Sequence, residues 1–270
     1  MGYCDIKAIE ECLAEYHERI AAVIMECLHG AVKYALESII ALPSDLTSDR
    51  TSTEIQYSRA VYDLCKKYNI LFIADEVRQG AGKTGKFFGY QNLGEDVKPD
   101  IVAMGKSMAG GFYPCSYIVG TDEVMSLVGT GEMASTFGNT PLGCAATHAT
   151  LDLIDEPGYM DRGPFLGAWF QREADKWRKE YTFILDAVSC GTDMCLYIDE
   201  SNPTVTGRKI AALCNLKGML VTSFTNRVRM SPPLVLTDEE MTRGMEILKE
   251  ALDEVTEYDD VPGMMWTGPE

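Results

Sequence analysis

Ile70-Leu71-Phe72-Ile73-Ala74-Asp75 is the stretch on which the fold turns: an unbroken apolar run that closes on one carboxylate. A run this short, without alternation, reads as a strand buried on both faces, as in a parallel sheet covered by helices. The same pattern recurs outward from it. Ala21-Ala22-Val23-Ile24-Met25 ends in Glu26, Ile101-Val102-Ala103-Met104-Gly105 ends at Lys106, and Ser116-Tyr117-Ile118-Val119 is a fourth strand candidate. Helical spacing fills the gaps. Ile6, Ile9, Leu13 and Tyr16 mark one helix, and Thr53 with Gln56 forms a capping box ahead of Ile55, Val61, Leu64, Cys65 and Tyr68. Strands alternating with helices predict an α/β fold with a mostly parallel sheet, whose ligands bind beyond the carboxyl ends of the strands. Glu26, Asp75 and Lys106 are therefore expected along one edge.

Downstream, a helix over 142–154 leads through Pro157-Gly158 into shorter elements. Strands are expected at 185–189, 194–198, 219–224 and 227–230, with a helix at 210–216. Thr237 and Glu240 cap a final helix carrying Met241, Met245, Leu248, Leu252 and Val255. The expected organisation is a large domain over 1–154, a smaller α+β domain over 155–257 and a loose acidic tail over 258–270. Residues 34–40 fit either helix or strand, and 43–52 read as a surface loop.

The 270 residues carry 24 basic and 41 acidic side chains, a net charge of −17. That balance repels nucleic-acid phosphates and anionic lipid headgroups, so neither is an expected partner. No apolar run approaches the ~18 residues of a membrane span. The 9 cysteines are odd in number and lack any CxxC pair. That usage fits reduced thiols in a cytoplasmic protein better than disulfides or a metal site, and no metal is expected.

Three features could carry chemistry. Lys106 ends a buried strand and precedes Ser107 and Gly110-Gly111, which suits a phosphate binder, a nucleophile or a plain surface lysine. A P-loop is excluded because Asp100 stands where its first glycine belongs. Asp75, after five apolar residues, needs a cationic or hydrogen-bonding partner; a cap or an ion pair with Arg78 would also satisfy it. Gly80-Ala81-Gly82-Lys83-Thr84-Gly85 is a GxGxxG, but Glu76 to Gln79 separate it from the strand and no apolar-periodic helix follows. It reads as a loop.

Taken together, Phe72 to Val77, Gly85, Phe88-Gly89, Pro99 to Val102, Gly105-Lys106-Ser107, Gly110-Gly111, Tyr113-Pro114, Ser135 to Gly138, Pro141 to Cys144 and Arg229 to Leu234 resemble the class III pyridoxal-phosphate aminotransferases. The likeness runs from about Tyr3 to Val255 and points to the ornithine aminotransferase group. It implies fold type I of the pyridoxal-phosphate-dependent transferases, here the carboxyl-terminal part of the large domain plus the small domain. By the resemblance, Lys106 is the Schiff-base lysine and Asp75 faces the pyridine nitrogen. Val77 and Arg78 lie against the cofactor, and Ser135 and Thr136 reach the cofactor phosphate of a neighbouring subunit, which implies a homodimer. Glu26 and Arg229 become substrate-binding residues, paired with each other when an ω-amine is bound and separated when Arg229 takes an α-carboxylate. The implied reaction moves an amino group from an ω-amine or amino acid to a 2-oxo acid such as 2-oxoglutarate.

Several positions depart from the family pattern. Arg78 replaces a glutamine that bonds the cofactor's phenolic oxygen, with Gln79 one residue late. Cys27 replaces a proline, His29 a glutamine, and 31–58 is longer than usual. The family's phosphate-holding glycine-rich turn, which precedes the region matching Tyr3, is not matched. Two alternatives follow: a catalytically inactive paralogue that keeps the fold and dimer surface, pairing with a full-length homologue, and, more remotely, a dinucleotide-dependent oxidoreductase.

Overall fold

The computed structural model describes residues 4–28, 50–136 and 138–262. The chain divides into two compact units, Met1–Asp161 and Arg162–Glu270. The readings of 34–40, of His29 and of most of the 43–52 loop fall outside the described residues.

In the first unit, α1 (Ile6–Tyr16) is capped by Asp5, whose carboxylate accepts the Ala8 N–H at 3.0 Å. It precedes β1 (Ala22–Met25), α2 (Arg50–Lys67), β2 (Leu71–Asp75), β3 (Ile101–Met104), β4 (Tyr117–Gly120), the single turn α3 (Asp122–Met125) and α4 (Pro141–Ile154). The sheet order is β1-β2-β3-β4. The first three strands are parallel, as their unalternating apolar runs predict, while β4 runs antiparallel to β3. Helix α2 starts at Arg50, so Thr53 sits inside it rather than capping it.

One face of this sheet is packed over its two central strands. Phe72, Ala74, Val102 and Met104 are buried with Leu13, Val61, Leu64 and Cys65 from the helices. The other face is more open than expected: Leu71, Ile73 and Asp75 are only half-buried, and Ile24 and Ile118 are 63 and 52% exposed. Asp100 fixes the register at the opposite end. Its N–H donates to the Phe72 carbonyl at 2.9 Å, and its carboxylate accepts the Phe72 N–H at 2.7 Å and the Lys66 ammonium at 2.8 Å.

The second unit holds α5 (Arg162–Glu180), β5 (Ile184–Cys190), β6 (Asp193–Ile198), α6 (Gly207–Leu216), β7 (Thr222–Phe224), β8 (Arg227–Met230) and α7 (Asp238–Glu254). Its sheet, in the order β5-β6-β8-β7, is antiparallel throughout. The strand expected over 219–224 shortens to its last three residues. Helix α5 is not among the expected elements, because Gly163, Pro164 and Gly167 crowd its start. Its buried stripe of Leu166, Phe170, Ala174 and Trp177 nevertheless keeps helical spacing. Gly167 is where α5 meets the sheet: a Cβ there would collide with the Gly191 carbonyl. The Thr237/Glu240 capping box forms as expected, with Thr237 N–H donating to the Glu240 carboxylate at 2.8 Å. Buried Lys209 donates to the carbonyls of Thr204 (2.6 Å), Val255 (3.3 Å) and Tyr258 (2.6 Å), tying α6 to the end of α7, where a cation meets the helix dipole favourably. Among the described residues no helix is long and apolar enough to cross a membrane.

Candidate active site

Parallel pairing brings the carboxyl ends of β1, β2 and β3 to one edge, with Met25 opposite Ala74 and Asp75 opposite Ala103. Glu26, Asp75 and Lys106 follow from those ends, so the expected juxtaposition along one edge is present. Asp75 is half-buried and accepts the Val77 N–H at 3.0 Å, an Asx turn that starts the chain's exit from the sheet. Val77 then packs beside Gly105: the place of a Cβ on Gly105 lies 3.6 Å from Val77 Cγ1.

Lys106 is exposed and opens a short 3₁₀ turn, Lys106–Ala109, with φ at +47°. A left-handed conformation costs an L-residue about 1–2 kcal/mol, so glycine would fit this position better. The turn closes through the left-handed Gly110. The strand order thus puts a lysine after one strand end and a carboxylate at the end of the next, an amine and an acid on one edge of the sheet.

Glu26 lies 3.8 Å from Arg78, with 24 and 17% of their side chains exposed. In the second unit Arg229, which pairs with Cys195 across β8 and β6, donates from Nη2 to Asp193 Oδ1 at 3.0 Å. Glu26 and Arg229 thus each have a charge partner other than the one the resemblance gives them. Ser135 and Thr136 are exposed, with the Ser135 carbonyl accepting the Gly138 N–H at 3.1 Å.

The residue that sequence reasoning missed is Glu76. Its N–H donates to the Ala103 carbonyl at 2.8 Å, and its buried carboxylate accepts the N–H groups of Gly89 and Tyr90, each at 2.8 Å. Burial pushes its pKa up to about 7; the two N–H bonds pull the other way, and nearby Asp75 and Glu26 add to the rise. Its signal was a second acid directly after Asp75. The chain returning to this carboxylate must come close: at Gly89 a Cβ would sit 3.0 Å from Gln79 Cβ and 3.3 Å from Glu76 Oε2.

The GxGxxG therefore belongs to a wound loop with positive φ at Ala81, Gly82 and Gly85, leading to a 3₁₀ turn at Gly89–Leu93. No helix N-terminus is offered to a pyrophosphate. Neighbouring Cys27 is buried, and burial followed by the charges of Glu76 and Asp75 pushes its thiol well above the usual range, so it is no nucleophile. Among the described residues no cluster of three or more metal-ligating side chains occurs.

The chain as a whole is similar to known proteins. The ornithine aminotransferase of Schizosaccharomyces pombe is 31% identical over 266 residues, covering 97% of this chain and 56% of that protein. A probable 4-aminobutyrate aminotransferase of Bacillus subtilis is 32% identical, covering 87% of this chain and 51% of that one. The crystal structure of the ornithine aminotransferase of Toxoplasma gondii superposes with a TM-score of 0.79 at 27% identity, over 96% of this chain and 57% of that one. The chain thus spans about half the length of the curated relatives it matches, and its fold is fold type I of the pyridoxal-phosphate-dependent transferases. The sequence profile described as Aminotransferase class-III matches residues 49–252, and the chain belongs to that family.

Proposed function

We propose that this chain contributes the lysine and carboxylate of a pyridoxal-phosphate aminotransferase that takes an ω-amine or amino acid donor and a 2-oxo acid acceptor such as 2-oxoglutarate. The observation that carries this is Lys106: an exposed amine held at a left-handed φ of +47° at the end of a buried strand, beside the strand that ends in Asp75. Strain of this kind persists where a function selects the side chain.

The donor set fits the cofactor. An exposed primary amine suits its aldehyde, and a half-buried carboxylate on the adjoining strand suits its protonated ring nitrogen. When bound, pyridoxal phosphate supplies the electron sink that makes the C–H of the amine-bearing carbon acidic. Lys106 Nζ would take that proton and, in the return half of the transfer, give one to the acceptor carbon that receives the amino group. Asp75 would hold the ring nitrogen and favour its protonated form, and Val77 and Arg78 would lie against the cofactor, with Arg78 toward the phenolic oxygen while balancing Glu26. We assign Ser135 and Thr136 to the phosphate of a partner subunit and Arg229 to the substrate α-carboxylate. The assignment of Ser135 and Thr136 carries a homodimer with it. All nine cysteines stand as thiols, which supports a cytoplasmic setting.

The test is labelling of the full chain by pyridoxal phosphate, fixed with borohydride and located by peptide mass, followed by assay of amino transfer. The expected result is a label confined to Lys106 that Lys106→Ala abolishes together with transfer. Label spread over surface lysines would overturn it. The open strand β4 also favours a second reading, an inactive paralogue that needs a longer homologue. For that reading the label should appear only on co-expression, and transfer should not depend on Lys106.

A further inference from the structure

We propose that Asp193 is a specificity-determining residue: an internal carboxylate that occupies Arg229 and competes with the carboxylate of an incoming substrate. The proposal rests on the assignment of Arg229 to substrate carboxylate given above. Asp193 opens β6 and Arg229 lies on the adjacent strand β8, with Nη2 donating to Oδ1 at 3.0 Å. The Asp193 side chain is 0% exposed and that of Arg229 is 23% exposed, so the contact is shielded from water.

The geometry of the pair is incomplete in an informative way. Arg229 Nε is buried and has no hydrogen-bond partner among the described residues. Asp193 therefore holds the guanidinium through Nη2 and leaves the planar fork of Nε and Nη2 half-used. Nη2 is common to both edges on which a guanidinium takes a carboxylate by two parallel bonds. A carboxylate resting there obstructs one edge and repels an anion approaching the other. A substrate carboxylate can complete the fork only by displacing Asp193.

The consequence is a preference by chemical class. Amines whose reacting carbon carries no carboxylate make no demand on Arg229 and meet no competitor. Acids that carry a carboxylate beside the reacting carbon, 2-oxo acids included, bind against Asp193 and need higher concentrations.

The experiment is calorimetric titration of the full chain with 2-oxoglutarate, using wild type, Asp193→Asn, Asp193→Ser, Arg229→Gln and the Asp193→Asn/Arg229→Gln double variant. Near-ultraviolet circular dichroism confirms that each is folded. Asp193→Asn is expected to tighten binding at least tenfold, Asp193→Ser to do the same, and both variants lacking Arg229 to lose saturable binding. Unchanged or weaker binding in both folded Asp193 variants, with loss in Arg229→Gln, would overturn the competitor role and leave Arg229 as the carboxylate site. Binding that survives in Arg229→Gln would overturn the assignment of Arg229 itself. No binding by any variant would overturn the competitor role too, since removing Asp193 should expose a usable site.

Discussion

Strand β6 in the second unit is buried at all six positions, whereas β4 in the first exposes Ile118 and Val119 on successive residues and therefore on opposite faces. The two sheets are of equal strand number, so size does not explain the difference. The second unit satisfies its own sheet with α5, α6 and α7, through Phe170, Trp177, Ile210 and Leu248. The first unit packs one face well and leaves the other half-covered. The carboxylate, amine and wound loop of the candidate site lie on this less enclosed unit, which matches the principle that chemistry is built at positions where packing is incomplete.

The comparison predicts separable stabilities. The largest effect is expected from Lys209→Met, which orphans three carbonyls around a buried ammonium and should cost the second unit roughly 2–4 kcal/mol. Trp169 and Trp177 both lie in that unit, so urea unfolding followed by their fluorescence reads it directly. Hydrogen exchange in 71–75 and 101–104 should stay unchanged; loss of protection there would break the division into two independently stable units.

A pH effect should be confined to the first unit. Glu76 keeps its proton to about pH 7 in the fold against an ordinary 4.5. Between those values the folded state binds the extra proton, so stability falls as pH rises through that window and is level above it. At 1.36 kcal/mol per pH unit the loss is at most about 3 kcal/mol. Exchange protection of Gly89 and Tyr90 should track it, and Glu76→Gln should flatten the profile. A profile that stays as steep in Glu76→Gln would move the effect to another group.

The smallest expected change is a gain. Lys106→Gly removes the penalty of a left-handed lysine and should raise first-unit stability by about 1 kcal/mol, while Lys106→Ala should leave it nearly unchanged. Thermal unfolding by circular dichroism compares the two. Equal melting temperatures would mean that Lys106 carries no strain.

Most of this was legible where one force dominated. Unbroken apolar runs located β1, β2 and β3, and their final residues Glu26, Asp75 and Lys106 were expected on one edge because parallel strands share a carboxyl end. The capping box at Thr237 was read directly. Elements set by competition were not legible. Helix α5 hid behind Gly163, Pro164 and Gly167, residues that oppose helix locally and are tolerated because α5 must touch the Gly191 carbonyl. The antiparallel sense of β4 depends on the path of 105–116, which no periodicity encodes. The pairings of Glu26 with Arg78 and Arg229 with Asp193 are tertiary, and charge spacing along the chain says nothing of them.

Asp100 has a consequence that reaches the chemistry without touching it. It clamps Phe72 through two backbone bonds at the entry of β2 and β3, three residues and about 10 Å from Asp75 along the strand. A slip of one residue between these strands would turn every β3 side chain to the other face and move the Lys106 turn away from its carboxylate. The alignment of amine and acid is thus decided at the far end of the sheet. Damage at Asp100 would therefore unsettle the packing of Val102 and Met104 and the alignment of amine and acid together.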